Sequence, residues 1–131
     1  MKYLDANIFI YVLDLSAKKE FSRSAETILK GIEDGERAVI SSITLMEVLW
    51  WCEKYLKEKI KDTYEMILSY DNLKTTNVTA DIIEDAIFYK YKYGLELNDC
   101  ISLSLMVAIG IKEIYSNDSG FDDIEWIKRL F

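Results

Sequence analysis

Short apolar runs alternate with helix-length segments along the whole of this chain, and that alternation narrows the possible folds more than any other feature. Residues 3–4, 38–41, 73–78, 112–115 and 124–127 read as strands, the last of them short. Helical periodicity fills the intervals at 8–13, 20–32, 44–59, 62–70, 79–93 and 99–109. Thr79 is a natural cap for its helix and Gly94 a natural stop. Residues 99–109 are apolar on nearly every face, which marks a central helix rather than a surface one. Strands regularly separated by helices form a parallel sheet covered on both sides. The expected fold class is therefore α/β, a three-layer sandwich around a central parallel sheet.

A chain of 131 residues suffices for one domain with its own core. Proline is absent and glycine rare, so no linker or low-complexity tail divides it. The opening residues do not make a signal peptide, because the apolar stretch 8–13 is short and lies between Asp5 and Asp14. No segment has transmembrane length. Cys52 and Cys100 lack zinc-type or CxxC spacing and sit in apolar runs, as buried thiols do. These points indicate a cytoplasmic protein with no membrane association. The net charge of −7 is opposite to the usual footprint of a nucleic-acid binder. Carboxylates that hold metal ions, however, count as negative only until the ions arrive.

Four acids stand where an apolar run meets a helix start or a turn: Asp5, Glu47, Asp99 and Asp118. Taken singly, each has a structural explanation. Asp5 or Asn7 can cap the helix that follows, and Asp99 (with Asn98) can cap the apolar helix running to Ile109. Thr44-Leu45-Met46-Glu47 matches the capping box, and Asn117-Asp118-Ser119-Gly120 is favourable turn chemistry. Capping needs only one acceptor per helix, and serine or threonine would serve. Acids at successive strand-to-helix junctions share one edge of a parallel sheet, the edge where sites collect in such folds. Carboxylates gathered there repel unless a divalent cation holds them.

The order and spacing of these residues resemble the PIN domain family of metal-dependent ribonucleases. The likeness runs through Leu4-Asp5-Ala6-Asn7-Ile8-Phe9-Ile10, the stretch from Ser41 to Leu49 containing Glu47, Leu97-Asn98-Asp99-Cys100, and Ser116-Asn117-Asp118-Ser119-Gly120-Phe121-Asp122. Cys100 stands where alanine is common and Ser116 where threonine is frequent, both small replacements. The resemblance implies a single PIN-like domain over residues 1–131, with about five parallel strands. It also implies a pocket for one or two Mg²⁺ or Mn²⁺ ions, with Asp5, Glu47, Asp99 and Asp118 as ligands and Asp122 as a fifth acid. Small members of this kind look like VapC-type toxins of toxin–antitoxin pairs, commonly homodimers. An RNA substrate and an antitoxin protein are the partners so implied.

The chain contains no histidine, which removes the usual general base and any Ser-His or Cys-His nucleophile pair. Hydrolysis would therefore depend on a metal to activate water, and an all-carboxylate site suits Mg²⁺ or Mn²⁺ better than zinc. Asn7, Ser42 and Ser116 are placed to hold the carboxylates by hydrogen bonds. Lys18, Lys19, Arg23, Lys90 and Lys92 are candidates for lining an RNA groove. Part of the apolar cluster from Leu45 to Cys52 is too broad for one core-facing stripe and fits a subunit or partner interface. The alternation of aromatic and basic residues from Tyr89 to Tyr93 reads as a solvated helix end. Other readings stay open on sequence: a PIN-like module that binds without cutting, a housekeeping RNA-processing nuclease, and a receiver-type phosphoacceptor at Asp5. The last lacks the paired acid that such folds use.

Overall fold

A computed structural model describes all residues from Met1 to Phe131. The chain runs β1 (Lys2–Leu4), α1 (Ala6–Leu13), α2 (Lys19–Glu33), β2 (Ala38–Ser41), α3 (Ser42–Tyr55), a 3-10 turn at Lys57–Lys59, and α4 (Ile60–Leu68). It continues with β3 (Leu73–Thr76), α5 (Ala80–Tyr93), α6 (Leu97–Ile109), β4 (Glu113–Tyr115), a 3-10 turn at Ser119–Asp123, and β5 (Lys128–Leu130). The five strands form one sheet in the order β3-β2-β1-β4-β5, every pairing parallel. β1 is central, and successive strands depart from it in opposite directions. The carboxyl ends of β1 and β4 thus meet at a topological switch point.

Alternation along the short strands separates two cores. Leu4, Ala38 and Ile40 point to one face, where Ile8 and Phe9 of α1, Ala25, Leu29 and Ile32 of α2, and Val48 of α3 cover them. Tyr3, Val39 and Ile114 point to the other, against Leu103, Leu105 and Met106 of α6 and Phe121 beyond β4. In α6, every residue from Asp99 to Met106 is buried, which explains its lack of a polar face. α5 packs over it, capped by the Thr79 hydroxyl at the N–H of Ile82 and ended by Gly94 at φ +72°. The three-layer parallel fold is as the sequence pattern predicts.

Most boundaries shift by one or two residues, α6 for instance starting at Leu97 rather than 99, and some shifts have a visible cause. The helix expected over 44–59 starts at Ser42, because Ser41 supplies the cap: its hydroxyl accepts from the N–H of Thr44 at 2.9 Å. That helix stops at Tyr55, where Leu56 turns to φ −141° and ψ 57°. α4 starts at Ile60 rather than 62, and β3 ends at Thr76 rather than 78. The strand expected at 124–127 is a turn instead. Ile124 is buried against the α6 core, while the N–H of Ile127 bonds the carbonyl of Ile124 at 3.0 Å. The true last strand, Lys128-Arg129-Leu130, lies at the sheet edge, where basic residues are favoured and the apolar strand pattern fades.

Candidate metal centre

Asp5 follows the last residue of β1, and its N–H bonds the carbonyl of Tyr115 at the end of β4 at 3.0 Å. The register, Leu4 opposite Tyr115, sets Asp5 beside Ser116. One oxygen of the Asp5 carboxylate accepts the N–H of Ala6 at 2.7 Å, capping α1. The other accepts the Ser116 hydroxyl at 2.8 Å. Ser116 is fully buried, and its oxygen also accepts the N–H of Asp118 at 3.0 Å. Asp118 in turn accepts the N–H of Gly120 at 2.8 Å. A single serine hydroxyl therefore connects two of the four acids.

The other two approach from helices. Glu47 lies in the second turn of α3, too deep to cap it, so the capping-box expectation gives way to Ser41. Its carboxylate instead accepts the side-chain amide of Asn98 at 3.1 Å. Asp99 is the third residue of α6 rather than its cap, is 9 % exposed, and lies near enough to Asp118 for each to affect the other's charge. Beneath them, the buried Tyr3 hydroxyl meets the Thr44 hydroxyl at 3.1 Å, and Thr44 meets Ser41 at the same distance. That network joins β1 to the start of α3.

None of the four acids forms a salt bridge. Burial raises the pKa of Asp5 most, with the negative Asp118 adding to it and the Ser116 and Ala6 hydrogen bonds opposing. Burial likewise raises Glu47 against the pull of the Asn98 amide. Asp99 is pushed up to about 8 by burial first, then by the hydrogen bond with Asp118 and the charges of Asp5, Asp118 and Glu47. Raised that far, the Asp99 carboxyl favours its neutral form at neutral pH. Its donors are all carboxylate oxygens, the chemistry that Mg²⁺ and Mn²⁺ prefer. No three of them converge on one point within ligand distance as the side chains stand. Mg²⁺ keeps several waters and needs only one or two carboxylates directly, so this donor set fits such an ion without a closed protein cage.

A family model described as PIN domain matches residues 2–127. The chain belongs to the PIN domain family. Two curated PIN relatives, a VapC ribonuclease of Mycobacterium bovis and Ribonuclease VapC13 of Mycobacterium tuberculosis, are each 28 % identical over 138 aligned residues, spanning 99 % of both chains. Among solved structures, Mycobacterium tuberculosis VapC20, described as a sarcin-ricin loop cleaving toxin, superposes with a TM-score of 0.80 at 15 % identity, covering 97 % of each chain. A toxin–antitoxin complex from Klebsiella pneumoniae gives a TM-score of 0.72 at 24 % identity, over 98 % of this chain and 96 % of the other. Rickettsia felis VapBC2 bound to promoter DNA gives 0.71 at 22 %, over 99 % and 98 %.

The remaining expected residues of this PIN domain divide. Asp122 is not free to serve as a fifth acid: Arg129 grips both its oxygens, at 2.8 and 2.9 Å, and holds its pKa below the usual carboxylate range. Ser42 does not reach the acids, since its hydroxyl accepts the N–H of Val78 at 3.0 Å and anchors the loop after β3. Asn7, half-buried in the first turn of α1, makes no hydrogen bond to an acid. Lys18, Lys19 and Arg23 gather around the start of α2 and Lys90 and Lys92 at the end of α5, helices on opposite faces of the sheet. One chain therefore has no single groove lined by all five. Lys90 is also tied to the carbonyl of Leu95 at 2.6 Å. Asn98, Ser41, Thr44, Tyr3 and Arg129 were not among the expected site residues. Asn98, adjacent to Asp99, and Ser41 and Thr44, within the motif around Glu47, carried a signal in the sequence; Tyr3 and Arg129 did not. No helix is long and apolar enough to cross a membrane.

Proposed function

We propose that this PIN domain is a metal-dependent endoribonuclease, the toxin of a toxin–antitoxin pair. The observation that carries the reading is four acids brought to the switch point with no salt bridge to any of them, an arrangement in which burial and mutual repulsion push Asp99 up to about 8. The names of the full-length relatives, VapC ribonucleases, support the same activity and the toxin role. In this reading Asp5, Glu47 and Asp99 would be the primary ligands, reaching the ion directly or through its waters since no three converge as the side chains stand, and Asp118 would hold a second ion or position water. One or two Mg²⁺ or Mn²⁺ ions would supply Lewis acidity toward water and the scissile phosphate.

The chain's own residues do the rest. Asp99 would hold a cation in its ionised form, one negative charge shared by its two oxygens. Ser116 fixes the Asp5 carboxylate by donating to it and orients the Asp118 loop by accepting its N–H. Asn98 holds Glu47 toward the same space. An RNA strand is the substrate, an antitoxin protein the partner, and a homodimer the assembly. The test is cleavage of a panel of transfer and ribosomal RNAs with Mn²⁺, with Mg²⁺ and with chelator. Cleavage should need the metal and fall at least a hundredfold in Asp99→Asn. Equal cleavage by that variant would overturn the reading. An adjacent reading frame encoding a small DNA-binding protein would separate the toxin role from housekeeping RNA processing.

A further inference from the structure

Arg129 makes four directed contacts from one guanidinium in the edge strand β5. Nε and Nη2 donate to the two oxygens of Asp122 at 2.8 and 2.9 Å, and Nη1 donates to the carbonyls of Ser116 at 3.2 Å and Phe131 at 3.0 Å. The Ser116 N–H donates to the carbonyl of Leu130, also in β5, at 3.1 Å. Ser116 is thus held through both backbone polar groups by one three-residue strand, while its hydroxyl bridges Asp5 and Asp118. The bidentate pair with Asp122 fixes the plane of the guanidinium, which aims Nη1 at the Ser116 carbonyl.

We propose that Arg129, locked by Asp122, is a positioning residue that sets the Ser116 bridge and through it the Asp5 and Asp118 carboxylates. It touches neither substrate nor ion. The proposal rests on the metal-site reading above and extends it to the C-terminal strand. It also gives Asp122 a function as the counter-ion of Arg129 rather than as a ligand.

The sign of one effect separates positioning from simple charge. Arg129 lies close enough to Asp118 for the two charges to attract. On charge alone, removing that cation should tighten Mn²⁺ binding. Positioning predicts the opposite, with the loss of tenfold or more seen when a group supporting metal ligands is removed. Mn²⁺ titration calorimetry on the full chain should show Arg129→Gln and Ser116→Ala each weakening binding about tenfold. The double variant should be no weaker than the worse single one, because both act through the same hydroxyl. Arg129→Lys should also weaken it, since an ammonium cannot hold Asp122 and two carbonyls in one plane. If Arg129→Gln melts well below the wild type, Arg129→Lys carries the test.

Two further readouts complete it. In metal-free protein, amide exchange at Asp118 should quicken in Arg129→Gln while Leu4, in the centre of the sheet, is unchanged. In RNA cleavage, kcat should fall with KM unaltered. Unchanged or tighter Mn²⁺ binding, multiplicative losses in the double variant, unaltered Asp118 exchange, or a rise in KM alone would each overturn the proposal. A wild-type protein that binds Mn²⁺ yet cuts no RNA would count against the nuclease reading, and the calorimetry and exchange arms would still decide the role of Arg129.

Discussion

Asp99→Asn should stabilise the metal-free protein at pH 8 and have little effect at pH 4.5. In the folded chain the Asp99 carboxyl holds its proton to about pH 8, against an ordinary value of 3.8 that the unfolded chain regains. Below pH 3.8 both states are protonated, so the buried acid costs nothing. As pH rises from 3.8 to about 8, the folded state binds the extra proton, and stability declines across that window. About four pH units at about 1.4 kcal/mol each set a ceiling of about 6 kcal/mol. Water on the open side of the site screens the charge, and Asp5, Glu47 and Asp118 relax once their neighbour is neutral. About 2–4 kcal/mol at pH 8 and under about 1 kcal/mol at pH 4.5 is the expected gain. Asparagine has nearly the shape of the protonated acid and can donate as it can, so the packing survives. Urea unfolding with chelator present, followed by tryptophan fluorescence, should show the variant's midpoint raised by about 1 M or more at pH 8. Saturating Mn²⁺ should stabilise the wild type and leave the variant nearly unchanged. A midpoint gap of equal size at both pH values, or none at either, would refute the reasoning.

Mn²⁺ binding below pH 8 should release about one proton, because Asp99 must ionise to bind; calorimetry in two buffers of different ionisation heat checks this, and identical heats count against it. Gly120→Ala should cost about 1–3 kcal/mol and lower activity, since a Cβ there would lie 2.8 Å from Leu95 Cδ2 and 3.1 Å from Asp118 Oδ1. Leu95→Ala in the same chain should recover part of that stability, and a fully stable, active Gly120→Ala protein would show the contact to be slack. Tyr3→Phe should cost only about 1 kcal/mol by thermal melting, because Thr44 keeps its Ser41 partner. A loss above about 3 kcal/mol would mean that the hydroxyl network carries more of the fold than this pairing implies.

Much of this architecture was legible because strand and helix periods are local properties. The uniform apolarity of α6 announced its burial, and the Thr79 and Gly94 signals bounded α5 correctly. The four acids were found by their place at junctions, which parallel topology converts into nearness. Three kinds of information were not local. The charged edge strand Lys128-Arg129-Leu130 resembles a surface segment, while Ile124, Trp126 and Ile127 mimic a strand because they pack from a turn. Asp122 looked like one more acid in an acidic motif, and only its distance to a residue seven positions on shows its partner. Ser42 and Ser41 are indistinguishable in sequence; the start of the helix decides that one caps α3 and the other anchors the loop before α5. The basic residues illustrate the same limit, because sequence gives their charge but not the face of the sheet on which each helix lies.

The placement of β1 between β2 and β4 also bears on the order in which the chain becomes competent during synthesis. β1 leaves the ribosome first and can pair with β2 once residues 38–41 follow, but its second neighbour is some 110 positions away. A nascent chain halted before residue 113 already carries Asp5, Glu47 and Asp99, yet has neither Ser116 nor the strand that holds it. Because domains emerging from the ribosome fold in the order in which their contacts become available, the acid site assembles only after β4 and β5 have followed the other strands. On the nuclease reading proposed above, the site stays incomplete until the strands at 113–115 and 128–130 have been made.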